Sequence, residues 1–217
     1  MDMIQAMKER HMVRKYTEEK IPKDLVDKLN ARIKMNNDKH GLSIKLVLND
    51  GDALSDEVNL VLSKNVNNFF VMAGRPGDDE KCGYAGADLM IYAQSIGLNT
   101  WWVGGQYNHK RAQKEAEGAV PVGIIAVGFG ETQGRPHDSK SASEVSSYEG
   151  TAPKWFEDGI EAALLAPTAK AAQAFTIEGQ GTRVHINCDN GVFSAVDTGI
   201  IRYHFELGAN GASFEWI

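Results

Sequence analysis

The longest run of apolar positions unbroken by a charge cluster lies at residues 83–105, and it predicts a helix, a strand and a glycine turn in succession. Asp78, Asp79 and Glu80 stand where a helix start favours negative charge, and Gly97 stands where a helix can end in a left-handed residue. Ala85, Leu89, Met90, Ile91, Ala93 and Ile96 cover most of the helix circumference, so this helix should be packed on nearly every side. Leu98 to Val103 reads as a strand, and Gly104-Gly105 closes it with bare backbone that a ligand can approach.

Weaker patterns flank this platform. Residues 2–9 read as a short helix delivering Arg10 to Tyr16 into an exposed segment. Ile21-Pro22 opens a second helix whose stripe is Leu25, Val26, Leu29 and Ile33. Residues 36–41 are expected to be a polar loop with His40 solvated, followed by strands at 44–48 and 69–72. Asn108 caps a polar surface helix to about Glu117, and residues 122–130 form a buried strand. Residues 134–153, rich in Ser, Gly and Pro, read as an exposed connection and a subdomain boundary. Trp155, Phe156, Ile160, Ala163 and Leu164 mark an amphipathic helix that ends before Pro167. Strands are expected at 182–188 and 191–196, then a helix capped by Asp197 that carries Ile200, Ile201, Phe205 and Leu207, and a last turn and strand at 209–217.

Composition narrows the class. With 217 residues, 42% apolar and 24% charged, the chain is an ordinary globular protein of one large or two small domains. A formal charge of −6 argues against general nucleic-acid affinity, so an anion site must come from a local cluster. Cys82 and Cys188 offer neither a disulfide framework nor a metal-ligand spacing, and read as reduced thiols. There is no apolar leader and no membrane-length apolar run, so a soluble, cytoplasmic protein without nucleic-acid or membrane partners is expected. Gly128, Gly130 and Gly134 do not make a dinucleotide fingerprint, because the third glycine comes one position late and no helix follows.

The candidate local cluster is Arg10-His11-Met12-Val13-Arg14-Lys15. Two guanidiniums four positions apart, with His11 between them, can grip a phosphate by forked hydrogen bonds. A solvated charge run beside Glu9, Glu18 and Glu19 is the other reading, and spacing alone leaves both open.

Arg10-His11-x-x-Arg14, then Gly86 to Gly97 followed by Trp-Trp-Val-Gly-Gly105, and Val122 to Gly128 together resemble the FMN-dependent nitroreductase family. The short length and the late Ala166-Pro-Thr-Ala-Lys-Ala-Ala-Gln173 resemble its divergent branch of TM nitroreductases. The resemblance implies an α+β fold, a three-layer α-β-α sandwich with a mixed or antiparallel sheet. Lys23–Ile33 parallels Trp155–Ala166, and Gly86–Gly97 parallels Thr198–Gly208, so a decayed tandem repeat forming a pseudo-dimer is expected. Its parts would be a first half at 1–133, a linker at 134–153 and a smaller second half at 154–217.

By the same resemblance, Arg10, His11 and Arg14 would bind the FMN phosphate or offset charge on the ring, and Gly104 and Gly105 would face flavin N5 with backbone N–H groups. Pro167, Thr168 and Gln173 would line the other side, and Arg135 and Lys140 lie where relatives place a second phosphate cation. Met12 replaces a hydroxyl residue and Ala171 replaces an asparagine of the family pattern, which removes two contacts. The implied activity is hydride transfer from NAD(P)H through FMN to a small-molecule acceptor such as a nitroaromatic or quinone, with no obligatory catalytic side chain and no metal. The alternative is a flavin-binding protein without turnover, or a member that has lost flavin. One composite site per chain makes a monomer sufficient and leaves a homodimer open.

Overall fold

Asp2 starts helix α1 (Met3–Glu9): its carboxylate accepts from the Gln5 N–H at 2.8 Å, satisfying a donor that a helix start leaves open. In the computed structural model, which describes residues 1–55 and 62–217, the chain leaves this helix at Arg10 in extended conformation. Helix α2 (Lys23–His40) follows and is longer than expected. Its polar end stays helical because its groups are partnered. Asn36 Nδ2 donates to Arg32 O at 3.1 Å and to the Asp88 carboxylate at 2.7 Å, and Asn37 exchanges two bonds with the Ile44 backbone at 3.0 and 2.8 Å. Gly41 then closes the helix at φ 68°. His40 is not solvated: it is half-buried against the Tyr84 ring at 5.3 Å, its Nε2 has no partner, and burial lowers its pKa.

Strands β1 (Lys45–Val47), β2 (Phe69–Gly74), β3 (Asn99–Val103) and β4 (Val120–Gly128) form an antiparallel sheet in the order β1-β2-β4-β3. Helix α3 (Asp79–Ser95) covers one face together with α2, joining Leu29, Phe70, Met72, Leu89 and Ile125 in one cluster. Helix α4 (His109–Glu115), capped by Asn108, covers the other face, where Ala112 packs with Trp101, Val103 and Ala126. Every residue of β2 is buried, as two covered faces require. This is the expected three-layer arrangement.

A second sheet takes the rest of the chain. Its strands are β5 (Ser146–Tyr148), β6 (Phe175–Gln180), β7 (Arg183–Cys188) and β8 (Glu215–Trp216), in the order β5-β6-β7-β8 with a parallel, an antiparallel and a parallel pair. Helix α6 (Lys154–Ala163) and helix α7 (Ser194–Gly208) cover one face, so β6 alternates buried Phe175 and Ile177 with exposed Thr176 and Glu178. Part of the stretch expected as an exposed connection is folded: a Ser141–Glu144 capping box starts helix α5 (Ala142–Val145), Val145 is fully buried, and β5 follows. The strand expected at 191–196 is a turn running into α7, so Phe193 occupies the cap position and Asp197 lies in the first turn.

Helices α3 and α7 cross in close contact and tie the two sheets together. A Cβ on Gly83 would lie 2.1 Å from Val196 O, and one on Gly199 would lie 1.9 Å from Glu80 O. Beside the crossing, buried Asp88 accepts from Arg32 in a bidentate pair, from Asn36 Nδ2 at 2.7 Å and from Tyr203 Oη at 2.6 Å. No helix among the described residues is long and apolar enough to cross a membrane.

Candidate functional site

Val13 and Tyr16, 4% and 2% exposed, anchor the segment that follows α1. The Val13 N–H donates to Thr100 O at 3.2 Å, the Tyr16 N–H to Lys64 O at 2.9 Å and the Lys64 N–H to Arg14 O at 3.1 Å. Held this way, Arg10, His11 and Arg14 border a cavity of about 1210 Å³. Arg10 is 5% exposed, its Nε has no partner, and burial lowers its pKa to about 10. The Arg14 guanidinium lies 5.1 Å above the Trp101 ring, and its buried Nε is also unpartnered. Neither arginine forms an ion pair among the described residues. Burial, with the positive charge of Arg10, lowers the His11 pKa and pushes the ring toward its neutral form. A buried cation without an acidic partner is unfavourable unless an anion arrives to meet it.

The opposite wall comes from the segment after α6. Pro167 and Thr168 lead into a single 3₁₀ turn (Ala169–Ala171), and Lys170, Ala171 and Gln173 have φ of 56°, 53° and 45°. Left-handed backbone at non-glycine residues is strained, and here it is held by two bonds. Thr168 Oγ1 accepts from the Gln173 N–H at 3.0 Å, and both Asp197 carboxylate oxygens accept from the Ala169 N–H, at 3.2 and 3.0 Å. Asp197 borders the cavity, and burial raises its carboxyl pKa to about 6, opposed by the Ala169 bond. It can therefore hold a proton in the cavity at mildly acidic pH.

Arg10, His11, Arg14, Gly104, Gly105, Pro167 and Thr168 all line this one cavity, and so do Met12, Arg135 and Ala171. The lining is drawn from both sides of residue 134. Gln173 and Lys140 stand apart and serve the fold. Gln173 is 1% exposed; its Nε2 donates to Leu164 O at 2.8 Å and its Oε1 accepts from the Lys140 N–H at 2.7 Å. The Lys140 ammonium donates to Gln173 O at 2.8 Å. His137, Phe193 and Asp197 also border the cavity, although no spacing in the sequence singles them out. Only the packing of α7 across α3, and of residues 134–137 against His11, Met12 and the Leu164 backbone, brings them there.

The family model described as "Putative TM nitroreductase" matches residues 2–209. Among solved structures, a protein from Thermotoga maritima described as a "putative nitroreductase" is 20% identical, with 96% of this chain and 83% of that chain covered and a TM-score of 0.65. A nitroreductase family protein from Streptococcus pneumoniae is 9% identical over 66% of this chain and 98% of that chain, with a TM-score of 0.53. A protein from Exiguobacterium sibiricum described as a "putative nitroreductase", solved in complex with FMN, is 16% identical over 66% of this chain and 95% of that chain, with a TM-score of 0.52. At these identities the likeness is one of fold. No curated protein matches the chain.

Proposed function

The chain belongs to the family described as "Putative TM nitroreductase", and from that membership we propose that it is an FMN-dependent oxidoreductase passing a hydride from NAD(P)H to a small electron acceptor such as a nitroaromatic or quinone. The observation that carries this reading is the pair Arg10 and Arg14, guanidiniums set at one cavity with buried Nε atoms that no acidic group among the described residues meets. The donor set fits a phosphorylated ligand, and about 1210 Å³ exceeds the roughly 300–1,000 Å³ usual for a ligand pocket, so a cofactor and a small acceptor can share it. When bound, FMN would supply the hydride chemistry.

The protein's part is to bind, orient and balance charge. Arg10 and neutral His11 would hold the phosphate, and Arg14, over the Trp101 ring, would offset negative charge that develops during reduction. Gly104 and Gly105 would present backbone to the ring, with Pro167 and Thr168 on the facing wall. Met12 and Ala171 supply neither a hydroxyl nor an amide, so the arginines carry a larger share of the binding.

Because the lining comes from both parts of the chain, one composite site per chain is the reading it supports. Titrating ligand-free protein with FMN should saturate near one equivalent, with the monomer persisting in sedimentation runs. Two equivalents, or binding by dimers alone, would overturn the composite-site reading.

A further inference from the structure

We propose that the Phe193 ring is a displaceable cover over the Gly104-Gly105 turn, and that its position governs how readily a planar ring ligand enters the cavity. This inference rests on the FMN reading and goes beyond it, because it assigns the access step to a residue outside the phosphate grip. Phe193 borders the cavity from the start of α7. A Cβ placed on Gly104 would lie 2.9, 3.2 and 3.4 Å from three carbons of its ring, and one on Gly105 would lie 3.6 Å from Phe193 Cζ. The ring therefore rests on the bare backbone of the turn. A flat ligand that is to lie on the same backbone needs the same space, and close-packed atoms do not share it.

The ring is held by little else. Seven of the eight phenylalanines pack into the hydrophobic clusters of the two sheets, whereas Phe193 belongs to none of them. No aromatic partner lies against it among the described residues. The preceding Val192 is 93% exposed, so its side chain does not pin the ring. The backbone, by contrast, is fixed: Phe193 O accepts from the Asp197 N–H at 2.9 Å as the first bond of α7, and Gly191 O accepts from the Ser194 N–H at 3.1 Å. Displacement is thus a change of side-chain rotamer on a fixed helix start. Gly104 has a double use, admitting the phenylalanine ring when the cavity is closed and the ligand ring when it is open.

A cover of this kind reduces apparent affinity by the fraction of molecules in which it is open, so a ring seated on the glycines about nine-tenths of the time weakens binding about tenfold. The test is a fluorescence titration of ligand-free protein with FMN and with riboflavin, which carries the ring without the phosphate. Phe193→Ala should bind both about five- to tenfold more tightly, and Phe193→Trp should bind both more weakly. Arg10→Met should weaken FMN binding and leave riboflavin binding unchanged. Weaker or unchanged binding of both ligands by Phe193→Ala overturns the cover, the former because the ring would then be a stacking surface. If Arg10→Met treats the two ligands alike, the phosphate assignment fails while the Phe193 result still stands. Binding of neither ligand by any variant removes both readings. Should Phe193→Ala fail to fold, Phe193→Leu, which keeps apolar bulk but not the flat ring, is read in the same direction.

Discussion

Replacing Arg10 by Met and Arg14 by Ala together should lower FMN affinity about a hundredfold or more, while Arg10→Met alone should make the ligand-free protein more stable. A charge-assisted bond contributes about 1.5–3 kcal/mol, here from Arg10 to the phosphate and from Arg14 to the flavin ring, so each lost guanidinium weakens binding about tenfold or more. The stability effect has the opposite sign because Arg10 is a buried cation with no acidic partner among the described residues. Methionine keeps an apolar stem of similar reach and removes the uncompensated charge, which should stabilise the fold by about 1 kcal/mol or more. The Arg14 change is less favourable to stability, since its cation–π contact with Trp101 contributes about 0.5–1 kcal/mol. FMN titration and urea denaturation of the same samples separate the two effects. Unchanged affinity would reject the phosphate assignment, and a less stable Arg10→Met protein would mean that the guanidinium serves the fold.

The second large effect concerns the crossing of α3 and α7. Gly199→Ala should destabilise the protein by about 3 kcal/mol, because the new Cβ would lie 1.9 Å from Glu80 O and 2.6 Å from Tyr84 N. Both obstacles are backbone atoms, so no side chain can rotate away. The helices must separate instead. Alanine's better helix propensity returns only about 1 kcal/mol, which the clash outweighs. Val196 and Ile200, on the same helix, border the cavity, so FMN binding should weaken as the helix shifts. Gly51→Ala, whose Cβ would meet only Asn67 Oδ1 at 3.5 Å, should stay within about 0.5 kcal/mol of the parent. Thermal or urea melts that rank Gly199→Ala with Gly51→Ala would refute the close crossing.

Some of this was legible from pattern alone. Helix α3 and strand β3 follow directly from the apolar run at 83–103, since a helix buried on all sides and an edge strand buried on both faces both leave a composition signal. Strand β6 was missed although its alternation, with Phe175, Ile177 and Gly179 inward, is regular, and the strand expected at 191–196 has no sheet neighbour to pair with and becomes a turn and a helix start. The end of α2 was hidden because Asn36, Asn37 and His40 have poor helix propensity, and their partners, Asp88, the Ile44 backbone and Tyr84, are distant in sequence. At the site, the paired arginines and the glycine turn carried a local signature. His137, Phe193 and Asp197 carried none, because tertiary folding alone sets a residue on a cavity wall.

The most direct measurement of the proposed activity is the absorbance of the FMN-loaded protein during anaerobic addition of NADH or NADPH. One of the two nicotinamides should bleach the flavin band, and a nitroaromatic or quinone added afterwards should restore it. A protein that binds FMN yet shows no bleaching with either nicotinamide would contradict the oxidoreductase reading and leave a flavin-binding protein without turnover.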